Sequence, residues 1–204
     1  MSSPSRRSLL AAGLAAAPLA RALNALQDDG PDGERPGRTP HTRFACNVEM
    51  WFGGLPFLDR LAAAADLGFP AVEFWPHAGK DIPAIATACA DLGLEVAQFT
   101  AWGFVPGLND PANHDAFERA IAQGCDVAHR LGARCMTVVG GNDQPGMTQA
   151  EMHDHIVTGL RRVASRAEDA DVTLILEPMN IRVDHKGHCL YGSPEAVDIC
   201  RRVD

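Results

Sequence analysis

No Cys-x-x-Cys pair occurs among the six cysteines, Cys46, Cys89, Cys125, Cys135, Cys189 and Cys200. That removes the ligand spacing of zinc fingers and of thioredoxin-type redox sites. There is no Lys/Arg-rich run, and 18 basic against 26 acidic side chains leave a net charge of −8. Such a surface is a poor match for phosphate backbones, so nucleic acid is not the expected partner. No apolar stretch reaches the ~20 residues of a membrane-spanning helix. Neither G-x-G-x-x-G nor G-x-x-x-x-G-K-[ST] is present, which removes the two common Gly-rich phosphate cradles. What remains is a chain of 204 residues, 46% hydrophobic and 22% charged, an ordinary composition for one domain with a real core. Most of the cysteines sit inside apolar stretches and read as small buried hydrophobes.

The first residues read as an address. Ser5-Arg6-Arg7-Ser8-Leu9-Leu10 leads into a small-residue apolar stretch, Ala11 to Ala20, and then Ala20-Arg21-Ala22. A charged start, a short apolar run and an A-x-A step make an export signal over residues 1–22. The paired arginines resemble a twin-arginine signal, which implies a periplasmic or other extracytoplasmic location. Residues 23–42 are rich in Gly, Pro and charge without periodicity, and are expected to be a flexible linker.

From Arg43 to Asp204 the chain alternates. Short apolar strands are expected at Arg43–Val48, Ala71–Trp75, Glu95–Thr100, Cys135–Val139 and Val172–Glu177, with helical periodicity between them. Leu67-Gly68, Leu92-Gly93 and Leu131-Gly132 each stand just before a strand, as helix stop signals do. Asp110-Pro111 and Ser193-Pro194 read as caps followed by a first-turn proline, and Thr148 to Glu151 as a capping box. Strict alternation implies a parallel sheet covered by helices. With no Gly-rich loop after the first strand, a (β/α)8 barrel is the better expectation. Five units fill about 160 residues and eight would need about 260, near the ~250 of such barrels. The expectation is thus a TIM barrel with about five of its units, lacking its C-terminal end, in residues 43–204. Its open first and fifth strands would favour self-association into a homo-oligomer.

Catalytic groups of such barrels stand at the C-terminal ends of strands. The fifth strand ends Leu174-Ile175-Leu176-Glu177-Pro178-Met179-Asn180, a carboxylate after three aliphatics and before a proline that keeps it extended. The alternative for Glu177 is a plain ion pair with a neighbouring Arg or Lys. Glu73, Asn47 and Asn180 also end strands. Glu73 reads either as a group that orients a ligand or as half of a salt bridge, and the two Asn as hydrogen-bonding partners for substrate hydroxyls. Trp51, Phe52, Trp75 and Trp102 follow strand ends, where aromatics either wall a small substrate or pack loops. His185 and His188 are three apart after the fifth strand and invite a metal or substrate reading. His114, His129, His153 and His155 read as surface residues.

The run Leu174 to Asn180 resembles the E-P-x-N signature of xylose-isomerase-like TIM barrels, most closely hydroxypyruvate isomerases and ketose 3-epimerases. Arg43-Phe44-Ala45-Cys46-Asn47 and Ala71-Val72-Glu73-Phe74 resemble their first two strands. Gly187-His188-Cys189-Leu190-Tyr191-Gly192-Ser193 is similar to their loop before the fifth helix. The resemblance implies an isomerase that moves a proton between adjacent carbons of a hydroxy-keto acid or ketose through an enediolate. It implies that Glu177 is both an acid–base group and a ligand of Mg²⁺ or Mn²⁺. With a small hydroxy-ketone as the partner, Asn47, Glu73, Asn180 and His188 are the candidates for substrate contact from their places at strand ends and in the loop after the fifth strand. The family's remaining ligands, an Asp, a His and a second Glu, belong to later strands that these residues do not include, so the chain alone is expected to be inactive. Two alternatives stand on the same scaffold: a ketose 3-epimerase, and a non-catalytic partial barrel that pairs with another chain. An AP-endonuclease type of barrel is disfavoured by the net acidity.

Overall fold

A computed structural model describes residues 35–204, and the expected signal over 1–22 and the linker as far as residue 34 lie outside them. Five strands, β1 (Ala45–Asn47), β2 (Ala71–Phe74), β3 (Glu95–Trp102), β4 (Cys135–Val139) and β5 (Thr173–Glu177), form one sheet in that order. Every pair is parallel. The connections carry helices α1 (Phe57–Asp66), α2 (Ile82–Leu92), α3 (His114–Leu131) and α4 (Gln149–Asp169), and α5 (Ser193–Val203) follows β5. A parallel pair needs a crossover, and each crossover here is a helix. The architecture is that of five consecutive units of a (β/α)8 barrel.

One face of the sheet makes the core. Cys46, Val72, Phe74, Val96, Phe99, Met136 and Val138 are buried with Leu61, Ile85, Phe117, Ile121, Ile156 and Val163 of the helices. Phe74 stacks on Phe99 at 6.0 Å between centroids, and Trp102 meets Phe117 edge-on at 5.3 Å. Four of the cysteines, Cys46, Cys89, Cys125 and Cys189, are buried free thiols; Cys135 is half-buried and Cys200 exposed. Among the described residues no helix is long and apolar enough to cross a membrane.

Local signals act as their chemistry dictates, with exceptions. Gly93 and Gly132 take φ of 68° and 66° and end α2 and α3, a conformation that costs a residue with a Cβ. Thr148 and Glu151 close the capping box of α4. Ser193 does not cap α5: Gly192 holds that position without a side-chain bond, and Ser193 is already helical. Residues 35–42 carry contacts that a free linker lacks. Gly37 donates its N–H to Leu67 O at 3.0 Å and is buried against Phe69, where a Cβ would come within 2.5 Å of the ring.

Pairing along β3 is irregular. Val72 faces Val96 but Glu73 faces Gln98, so Ala97 is an extra residue; Thr100 faces Thr137 but Trp102 faces Val138, so Ala101 is a second. Each bulge shifts the alternation of the strand by one.

Candidate active site at the C-terminal ends of the strands

Strand alternation puts Asn47, Glu73, Thr137 and Glu177 on the face turned away from the helices. Their neighbours Cys46, Val72, Phe74, Met136 and Val138 are in the core, and Leu174 and Leu176 pack against it. Gln98 joins them because the bulge at Ala97 turns it out of the core. On this face a hydrogen-bonded row crosses four strands. Asn47 Nδ2 donates to Glu73 Oε1 at 2.8 Å, Gln98 Nε2 to Glu73 Oε2 at 2.6 Å, and Thr137 Oγ1 to Gln98 Oε1 at 2.6 Å. Glu73 is therefore an oriented carboxylate, and among the described residues it has no salt-bridge partner.

Glu177 ends β5, exposed to solvent. The protein around it still removes enough water to hold its carboxyl above the usual carboxylate range; the negative charge of Glu73 adds to the rise and His185 opposes it. Among the described residues no Arg or Lys forms the ion pair considered for Glu177. Lost hydration and a second carboxylate nearby both favour the protonated form of a carboxyl group.

Asn47 is engaged on both ends of its amide, with one Nδ2 hydrogen left over. Its Oδ1 accepts from the backbone N–H groups of Glu49 and Met50 at 3.0 and 3.1 Å while its amide serves Glu73. Asn180 is exposed, but it too is used by its own loop: Oδ1 accepts from Arg182 N at 2.9 Å and its carbonyl from His185 N at 3.0 Å. His188, the other expected substrate contact, is only 1% exposed. Its Nδ1 donates to Leu190 O at 2.7 Å inside the β5–α5 loop, and its Nε2 accepts from Gly141 N at 3.3 Å and joins that loop to the β4–α4 loop. Burial holds its pKa below the ordinary histidine value.

The pair His185 and His188 thus divides. His185 is half-buried, stacks on Phe104 at 4.8 Å and is the one whose charge reaches Glu177. Of the four aromatics expected at the strand ends, Trp51 and Trp75 remain exposed at 47% and 43%, whereas Trp102 is in the core against Phe117. His114 is buried and bonds Leu108 O at 3.1 Å, and His153 and His155 bond the carbonyls of Cys189 and Asn109. These three satisfy buried loop backbone rather than lie on the surface, since a buried carbonyl needs a donor.

Behind this face, Glu49, Arg60 and Lys80 make a compact ionic cluster. Glu49 lies 2.7 Å from Lys80 Nζ and 3.4 Å from Arg60 Nη1, with side chains under one-fifth exposed. Arg60 also donates to the carbonyls of Val48, Gly53 and Leu55, and Lys80 to those of Trp75 and Pro76. The cluster ties the β1–α1 and β2–α2 loops at the same end of the sheet.

Among the described residues no group of three or more His, Cys, Asp or Glu side chains is placed to hold a metal ion. Glu177 offers one hard oxygen donor, which falls short of the octahedral shell of Mg²⁺.

Residues 61–204 match a protein family described as xylose isomerase-like TIM barrel. Hydroxypyruvate isomerase of Escherichia coli (strain K12) is 28% identical over 163 residues, covering 77% of this chain and 63% of that protein. The 2-oxo-tetronate isomerase of Haemophilus influenzae is 37% identical over 179 residues, covering 79% of this chain and 65% of that protein. The crystal structure of an AP endonuclease, family 2, from Brucella melitensis superposes with a TM-score of 0.73 at 24% identity, over 79% of this chain and 64% of that one, and shares the fold. The chain spans less than two thirds of the length of these relatives.

Proposed function

The chain belongs to the xylose isomerase-like TIM barrel family, and from that premise we propose an isomerase of small hydroxy-keto acids in which Glu177 moves the proton. Hydroxypyruvate is the first substrate to test, since relatives that match along three quarters or more of this chain are named hydroxypyruvate isomerase or 2-oxo-tetronate isomerase. The observation that carries the reading is a solvent-accessible carboxylate at the C-terminal end of β5 whose proton affinity is raised by its surroundings.

In this proposal the ionised Glu177 takes the proton from the hydroxymethyl carbon of hydroxypyruvate, leaving an enediolate. The same carboxylic acid then returns the proton to the neighbouring carbon, which becomes the carbinol of tartronate semialdehyde. The hydroxyl proton lost from one oxygen and gained by the other exchanges through water. Glu73 accepts a substrate hydroxyl, and His185 lends positive charge beside Glu177. The resemblance implies Mg²⁺ or Mn²⁺ in addition, but the residues present do not make up a coordination shell, and proton transfer by Glu177 stands on the carboxylate alone.

Proton abstraction can be followed without complete turnover. Hydroxypyruvate in D₂O should gain deuterium at its hydroxymethyl carbon in the presence of the protein. Glu177→Gln should slow this by about 10²–10⁴-fold, the usual contribution of a positioned base. Equal exchange by the Gln variant and the native chain would remove Glu177 from the role.

A further inference from the structure

The row of side chains from Asn47 to Thr137 has a direction. Thr137 is 5% exposed, and its hydroxyl donates to Gln98 Oε1. Glu73 fixes which end of the Gln98 amide points toward it, because an ionised carboxylate only accepts and a flipped amide would set oxygen against oxygen; the Oε1 so turned away is anchored by the Thr137 hydroxyl. Gln98 Nε2 then faces Glu73 Oε2, while Asn47 holds the other oxygen. Asn47 is itself locked by two backbone N–H groups. Each oxygen of Glu73 therefore has one donor that sets its plane and a lone pair to spare.

The bulge is the second observation, independent of the hydrogen bonds. Were Ala97 paired in a regular ladder, alternation from Val96 would send Gln98 into the core beside Phe74 and turn Phe99 to the other face. The interruption of the ladder between Val72 and Glu73 coincides with the rung on which Gln98 meets Glu73. Bulges are uncommon between parallel strands, and next to active sites they re-aim side chains.

We propose that Gln98 and Thr137 are positioning residues, brought to this face by the bulge at Ala97, that hold the Glu73 carboxylate in one orientation to accept substrate hydroxyls. Gln98 supplies the donor and Thr137 anchors the far end of its amide. The proposal rests on the isomerase reading above for its substrate, though not for its geometry. Supporting residues of this kind raise the precision of a binding group without touching the ligand.

The test compares Thr137→Val, Thr137→Ser and Glu73→Gln with the native chain, using hydroxypyruvate as the probe. Kinetics of deuterium exchange into its hydroxymethyl carbon are read beside NMR of the Gln98 side-chain amide and the Glu73 carboxyl carbon. Thr137→Val should shift both signals and raise KM on the order of ten-fold with kcat nearly unchanged, the scale of one orienting hydrogen bond to a charged group. Thr137→Ser, which keeps the hydroxyl, should restore KM and both signals. Glu73→Gln should raise KM at least as far as Thr137→Val. Unmoved Gln98 signals in Thr137→Val, or a KM rise that Ser does not rescue, would overturn the proposal. If the native chain catalyses no exchange, the isomerase reading fails; the Gln98 and Glu73 signals then decide the positioning role separately, shifting in Val and not in Ser if it holds.

Discussion

Removing the charge of Glu49 should destabilise the fold more than removing either cation that it serves. In Glu49→Gln, Lys80 and Arg60 remain close together with side chains less than one-fifth exposed, and nothing neutralises them. Breaking a buried pair from one side costs about 3–5 kcal/mol. Two features reduce that here. Partial exposure screens the cations, and both retain backbone carbonyls, with Lys80 also 5.0 Å from the Phe57 ring centroid and 5.6 Å from that of Phe74. Glu49 Oε1 has the Lys80 ammonium at 2.7 Å but no aligned hydrogen bond, so the contact is mostly Coulombic. A cost of roughly 2 kcal/mol follows, which for a domain of this size lowers Tm by about 4–8 °C. Lys80→Met leaves Glu49 paired with Arg60 and should cost about half as much. Thermal and urea unfolding of both variants decide it. A Glu49→Gln variant within about 0.5 kcal/mol of native, or one less harmful than Lys80→Met, would show that the cluster is only a solvated surface array.

Two further outcomes follow from buried groups. His114 and His188 are held below their ordinary value of 6.5, chiefly by burial. The unfolded chain therefore takes up protons before the folded one does, so stability is fully present above pH 6.5 and is lost as pH falls through the depressed folded values. Urea midpoints measured across this range should decline toward acid, and less steeply in His188→Asn; a flat profile would contradict the burial of both rings. Thiol reagents should modify exposed Cys200 first, while Cys89 and Cys189, pushed up to about 11 and about 12 by burial, react only on unfolding. Rapid labelling of Cys189 in the native chain would mean that the loop over it opens.

The parts of this fold that were readable in advance are those governed by local chemistry. The Leu-Gly stops, the Thr148–Glu151 box and the aliphatic run into Glu177 act within a few residues of themselves, and each does in the structure what its type dictates. The active face was harder. Glu95-Val96-Ala97-Gln98-Phe99 carries no signal for an extra residue, so Gln98 reads as facing the helices when it faces Glu73. His188 looks like a free polar side chain because its partner Gly141 belongs to another loop far earlier in the chain, whereas the carbonyl that His114 serves, of Leu108, is close in sequence but buried with it. Ser193 before a proline looks like a cap, but the chain enters α5 one residue earlier and Gly192 takes the place. Tertiary packing and pairing, not propensity, decided each of these.

The two extra residues of β3 give that strand a grammar of its own. An ordinary strand punishes substitution at every second position. Across β3 the stress should fall on Val96, skip exposed Ala97, land on Gln98 for its amide rather than its size, and return to Phe99. It should then fall on Ala101 and Trp102 in succession, where both side chains are buried. A deep substitution scan would thus print the bulges as a stutter in mutational tolerance. Deleting Ala97 should leave Gln98 and Phe99 on their present faces, because Gln98 then follows Val96 in ordinary alternation, and what is lost is the local twist of the bulge.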